Sequence, residues 1–241
     1  MTAIASEIER FNRLSATWWD NQGPMRPLHV VNALRRELIV ERIKDHFGLY
    51  PSASGLGGLR ILDVGCGGGL LAEPLAQIGA QVVGVDASPG NVAAARLHAE
   101  QAGVQLDYRL GEPSDVLAPG EQFDVVMALE VVEHVSDVPV FVNTAARCVA
   151  PGGLLFASTI DRTLKSFVFA IVGAEYVLRV LPRGTHRWRQ FVRPKELADA
   201  AARSGLRLLA SQGMQYNPLR HTARWCQSTD VNYLSIFELP R

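Results

Sequence analysis

Cysteine is scarce in this chain and unpaired in pattern: Cys66, Cys148 and Cys226 are widely spaced, with no C-x-x-C pair. An odd, scattered set reads as reduced thiols of a cytosolic protein, not as a disulfide frame or a zinc site. An excess of either charge is also lacking, with 24 Lys and Arg against 24 Asp and Glu. That balance argues against a polyanion as the main partner and leaves room for a local basic patch. Long apolar runs are missing as well. No stretch reaches the ~20 apolar residues that span a bilayer, and the opening MTAIASEIERFNRL has no apolar core of a secretory signal. No internal repeat is visible. What is present is 48% hydrophobic content over 241 residues, which suits one ordinary globular domain and supplies enough apolar surface to offset chain entropy.

Periodicity organises the rest. Ile8, Phe11 and Leu14 predict a helix over 5–20; Gly23, Pro24 and Pro27 predict a loop over 21–28; Leu34, Leu38, Ile39 and Ile43 predict a helix over 30–47. Residues 50–58 read as a linker. Beyond it, short apolar runs alternate with helical patterns: RILDV then 69–79, QVVGVD then 89–102, LDYRL, FDVVMAL then 137–149, and GGLLFAST. Such strands, nearly all apolar and separated by helices, form a mostly parallel sheet covered on both faces. A final helix over 194–204 and closing strands at 206–213 and 231–239 complete an α/β fold.

Strand RILDV runs into Gly65-Cys66-Gly67-Gly68-Gly69 and then a helix. Glycines there allow a tight turn and close approach of backbone to a ligand, at the mouth of the sheet where open α/β folds bind. A dinucleotide fingerprint starting at Gly65 needs a third glycine at position 70, which is Leu70. The pattern is G-x-G-x-G preceded by Asp63, and an acid beside the loop suits a ligand bearing an ammonium group. Asp86, 21 positions after Gly65, ends the second strand, where an acid hydrogen-bonds ribose hydroxyls. Together these residues resemble the Class I S-adenosylmethionine-dependent methyltransferases, a Rossmann-like fold with a seven-stranded sheet. The resemblance places cofactor contacts at Asp63, Gly65, Gly67, Gly69 and Asp86, and sets Leu129, at the end of FDVVMAL, against the adenosine.

After Leu129 come Glu130, Glu133 and His134. If the chain is helical there, they share one face, and two carboxylates with an imidazole can hold a divalent cation, magnesium before zinc. Alternatively, His134 or Glu130 is the general base.

Distant segments narrow the resemblance. FNRLSATWWDNQGPMRPLHVVNALR, LDVGCGGGLLAEPLA, LEVVEHV, KSFVFAIVGAEYVLRVLPRGTH, MQYNPL and DVNY together resemble the ubiquinone-biosynthesis O-methyltransferases across nearly the whole chain. The resemblance implies methylation of ring hydroxyls on 2-polyprenyl-6-hydroxyphenol and 3-demethylubiquinol. It further implies contact of Arg35 with the cofactor, where a guanidinium can pair with the methionine carboxylate, and a magnesium ion at Glu130, Glu133 and His134. Read alone, Arg35 is a solvated helix charge. Two alternatives stand beside this reading: another amphipathic or phenolic substrate, or a non-catalytic membrane-binding module.

One stretch fits the sheet poorly. Residues 163–193 exceed the usual connection of 2–6 residues and read as an insertion. From Phe167 to Leu181 it is mostly apolar, interrupted by Glu175 and Arg179. Lys165, Arg183, Arg187, Arg189 and Arg193 surround it, with Tyr176 and Trp188 as interfacial types. A basic-flanked apolar helix lies in an anionic membrane surface; the alternative is a lid over the active site. The expected organisation is one domain, with 1–50 as a helical cap over the active site. The expected partners are a polyprenylated phenol or quinol, an anionic lipid surface and other ubiquinone-biosynthesis enzymes, with no nucleic acid. The expected location is cytoplasmic, against the inner face of the membrane.

Overall fold

The computed structural model describes residues 2–50, 55–167 and 188–241. Among the described residues eight strands, numbered along the chain, form one sheet in the order β3-β2-β1-β4-β5-β8-β6-β7. The first five are parallel: β1 (Arg60–Val64), β2 (Gln81–Asp86), β3 (Asp107–Leu110), β4 (Phe123–Leu129) and β5 (Val149–Ile160). β6 (Arg207–Asn217), β7 (Thr222–Cys226) and β8 (Asn232–Glu238) complete the sheet by antiparallel pairing. The expected count of seven strands is therefore corrected to eight. The additional strand is β7: β6 continues past 213 through MQYN and the chain returns as TARWC. β7 is an edge strand with no buried residue, so backbone pairing to β6 defines it and no apolar signal marks it.

The helices are α1 (Ala5–Leu14), α2 (Arg26–Phe47), α3 (Ala72–Gln77), α4 (Pro89–Ala102), α5 (Pro113–Val116), α6 (Val138–Arg147), α7 (Leu164–Ser166) and α8 (Pro194–Arg203). α1 stops short of the predicted 20, passing into a 3-10 turn at Ser15–Thr17. α2 starts at Arg26 instead of 30, because Pro27 occupies the first helical turn, where a missing N–H costs nothing. α4 has the predicted bounds: Ser88 caps it by accepting from the Asn91 N–H, and Gly103 closes it in the left-handed region.

The all-apolar parallel strands follow from burial on both faces. Along β1, Ile61 faces one core with Ile39, Ile43, Leu75, Val125 and Phe156, while Leu62 faces the other with Val126, Phe141, Leu155 and Leu197. The strand order reverses between β1 and β4, and at that reversal the helices diverge and leave a crevice at the carboxyl ends of the strands. Asp63, Asp86 and Leu129 lie at the ends of β1, β2 and β4.

Candidate active site

A cavity of about 1610 Å3 opens at that crevice. Arg35, Asp63, Gly65, Gly67, Asp86, Leu129, Glu130, Glu133 and His134 all line it. Gly69 does not. Its φ of +86° closes the turn, and a Cβ there would strike the Tyr108 hydroxyl, so this glycine serves packing beneath the loop.

Asp86 anchors the loop. Its Oδ2 accepts the Gly67 N–H at 2.9 Å, and its Oδ1 accepts the Ser88 N–H at 2.8 Å and the Asn91 side-chain amide at 3.2 Å. Burial raises its pKa, and these three donors oppose the rise. Asp63 has no such support. Burial first and the Asp86 charge second push it to about 7. A buried carboxylate that no donor stabilises is suited to an incoming cation.

Arg35 is 1% exposed, so reading it as a solvated charge is wrong for this chain. Its guanidinium pairs with Glu130 and also donates to Asn32 Oδ1 at 3.3 Å. Its Nε has no hydrogen-bond partner, leaving one buried donor unsatisfied. Asp63 thus presents a carboxylate without donors to the cavity, and Arg35, paired with Glu130 but with one N–H unsatisfied, lines the same cavity. That is the complement of an amino-acid zwitterion, and it fits the methionine portion of S-adenosylmethionine.

The predicted face of Glu130, Glu133 and His134 does not form. Glu130 sits at φ +57° and a 3-10 turn covers Val132–His134, so the α-helical spacing that would align the three is absent. Glu130 engages Arg35 and accepts from the Ser158 hydroxyl at 2.9 Å; Glu133 accepts from the Thr159 hydroxyl at 2.7 Å; His134 Nδ1 lies 3.0 Å from Glu7 Oε2. Burial, then the adjacent Glu130 charge, raises Glu133 well above the usual carboxylate range. Among the described residues no three His, Cys, Asp or Glu side chains gather as a metal site. The expected magnesium set is therefore not assembled in this structure, where Glu130, Glu133 and His134 each engage other partners.

Several site residues escaped the sequence reading. Trp18 lies across Gly67 and Gly68, where an added Cβ would meet its indole ring, and its Nε1 donates to Asn91 Oδ1 at 2.8 Å. Trp19 donates to the Gly68 carbonyl at 2.9 Å and stacks on His98. Asn12 Oδ1 accepts the Gly90 N–H at 2.7 Å. The paired tryptophans just after an amphipathic helix were the available signal. The turn from Tyr216 to Thr222 also reaches the cavity, with the Tyr216 hydroxyl 2.7 Å from His221 Nδ1. The insertion expected over 163–193 falls mainly on 168–187, outside the described residues, together with Glu175, Tyr176, Arg179, Arg183 and Arg187.

Comparison with known proteins agrees with this geometry. Residues 26–211 match the family described as methyltransferase domain. The chain is 50% identical over 240 residues to the ubiquinone biosynthesis O-methyltransferase of Brucella anthropi, covering 99% of this chain and 97% of that one. It is 51% identical to the enzyme of that name in Azorhizobium caulinodans, covering 98% and 95%. Among solved structures, a magnesium protoporphyrin IX methyltransferase from Synechocystis PCC 6803 with bound S-adenosylhomocysteine has the same fold, with a TM-score of 0.64 at 19% identity over 97% of this chain and 94% of that one. A S-adenosylmethionine-dependent methyltransferase from Aquifex aeolicus gives 0.61 at 14% identity over 97% of each chain.

Proposed function

Since this chain belongs to the ubiquinone biosynthesis O-methyltransferase family, and so uses S-adenosylmethionine to methylate oxygen, we propose that it methylates the ring hydroxyls of 2-polyprenyl-6-hydroxyphenol and 3-demethylubiquinol. The observation that carries the cofactor half is that Asp63, a buried carboxylate without donors, and Arg35, a buried guanidinium with one N–H unsatisfied, line one cavity. Asp63 takes the cofactor ammonium, Arg35 its carboxylate, Asp86 the ribose, and Leu129 packs against the adenosine. Gly65 and Gly67 keep side chains out of its path, and residues 1–50 cap it.

When bound, the cofactor supplies a methyl group already activated on a sulfonium. What remains for the protein is alignment and proton removal, and alignment can supply several kcal/mol of the barrier reduction. His134, on the cavity wall, takes the phenolic proton. Glu130 is the alternative base, but its engagement by Arg35 and Ser158 disfavours it.

The substrate half rests on family membership and on the cavity's apolar access. Leu164 is 77% and Leu219 80% exposed, with Phe167 and Trp188 also at the surface. Lys165, Leu219 and Arg220 belong to the cavity wall. Leu219 with Lys165 and Arg220 on the cavity wall, and exposed Leu164 and Phe167 close to Lys165 in sequence, suit a polyprenyl tail entering from an anionic lipid surface, and on this reading the protein sits peripherally on the inner membrane face. Among the described residues no helix is long and apolar enough to cross a membrane. Mass spectrometry of quinone precursors in a deletion strain tests the assignment. Accumulation of both unmethylated rings is the expected result; normal ubiquinone with a different amphipathic precursor accumulating overturns it.

A further inference from the structure

α1 buries one residue only, and that residue is an acid, Glu7. Burying a carboxylate is unfavourable unless it is paired and hydrogen-bonded, so its placement calls for a cause. Arg10, one turn on, lies 2.8 Å from Glu7 Oε2, and His134 Nδ1 lies 3.0 Å from the same oxygen, an ion-pair contact that a small turn of the imidazole would align as a hydrogen bond. The His134 ring is also held edge-on by Phe11, with centroids 5.2 Å apart and planes at 78°. This end of the chain is tied to the histidine's own segment: Ala3 bridges Val135, and the Ser136 N–H donates to the Thr2 carbonyl at 2.8 Å. Glu112 fixes the Thr2 and Ala3 amides at 2.7 Å. Glu7 and His134 both face the cavity, as do Glu130, Glu133, Arg10 and Arg35.

We infer that Glu7 is the positioning residue for His134. It holds the imidazole with Nδ1 toward α1, so that Nε2 is the nitrogen available to a ring hydroxyl. As the O–CH3 bond forms and the S–CH3 bond breaks, the hydroxyl proton passes to Nε2. The resulting imidazolium lies against the Glu7 carboxylate, and its proton later leaves to water. Arg10, one turn along α1, clamps the Glu7 rotamer. The arrangement makes catalysis depend on docking of the N-terminal helix, since the base is correctly oriented only when α1 is in place.

This inference rests on the reading of His134 as the base, and the experiment separates the two. Steady-state kinetics are measured on the full chain with Glu7→Gln, Glu7→Asp, His134→Ala and the Glu7→Gln/His134→Ala double variant, alongside calorimetry with S-adenosylhomocysteine. The expected result for Glu7→Gln is a kcat lowered about 10- to 100-fold, a part of the roughly 10²–10⁴-fold that general acid–base catalysis contributes as a whole, with cofactor affinity within about twofold. Glu7→Asp recovers part of the loss, and the double variant is no slower than His134→Ala. Wild-type kcat in Glu7→Gln, or losses that multiply in the double variant, overturns the role of Glu7. Near wild-type kcat in His134→Ala overturns the base itself. Nitrogen-15 spectra of histidine-labelled wild-type protein give an answer independent of variant folding: the Nδ1–H tautomer at His134 supports the inference, and the Nε2–H tautomer refutes it.

Discussion

Asp63→Asn preserves side-chain shape and removes one buried charge, and it should move stability and binding in opposite directions. In the folded chain Asp63 ionises at about 7 against an ordinary 3.8, because burial and the Asp86 charge both disfavour the anion. A carboxylate whose folded pKa is raised keeps its proton longer in the native state than in the unfolded chain. It therefore carries no penalty below about pH 4, a growing penalty as pH rises toward 7, and a constant one above. Linkage puts the full penalty at on the order of 4 kcal/mol at pH 8. An amide in the same place costs roughly 1–3 kcal/mol if left without partners. The net expectation is a ligand-free protein stabilised by about 1–3 kcal/mol. At ~2–4 °C per kcal/mol for a chain of this size, that is several degrees in melting temperature. Binding should weaken about 100-fold, because a charge-assisted contact to the cofactor ammonium is lost. Differential scanning calorimetry without ligand, and titration with S-adenosylhomocysteine, read both numbers. A variant that melts lower without ligand, or binds as tightly as wild type, refutes the assignment of Asp63 as a strained ammonium site.

The same group predicts a proton signal. At pH 6 Asp63 is mostly protonated, so binding S-adenosylhomocysteine should release close to one proton. Near pH 8.5 it should release almost none, and affinity should fall up to about tenfold per pH unit below 7; titration in buffers of different ionisation enthalpy measures it, and buffer-independent heats at pH 6 contradict it. Arg35→Ala breaks a buried ion pair and should destabilise the fold by about 3 kcal/mol. Arg35→Lys restores charge without the planar fork and should recover stability more than cofactor affinity; equal recovery of both would remove Arg35 from the site. Excess chelator should leave turnover unchanged, because the donors at 130–134 are committed elsewhere; loss of activity restored by magnesium would show that the site rearranges around an ion.

How much of this was legible beforehand follows physical lines. β1, β2 and β4 announced themselves because strands buried on both faces must be apolar throughout, and α4 because its Ser88 cap and Gly103 stop are encoded locally. The glycine loop and Asp86 were readable because their spacing is set by the backbone. The β6–β7 hairpin was missed past residue 213 because an edge strand is defined by backbone pairing, which leaves little trace in side-chain pattern. Glu130, Glu133 and His134 were placed on one helical face, yet the positive φ at Glu130 turns the chain and sends the three apart. Arg35 and Glu7 look like ordinary surface charges on amphipathic helices. Only tertiary packing buries them, and their partners, Glu130 and His134, lie about a hundred residues away.

Transfer of an isotope-labelled methyl group from S-adenosylmethionine to each of the two polyprenylated rings, by the purified full chain on anionic vesicles, tests the central claim most directly. Label on the ring oxygen of both substrates, lost in His134→Ala and weakened in Asp63→Asn, is the predicted result. Tight cofactor binding with no label on either ring would contradict it.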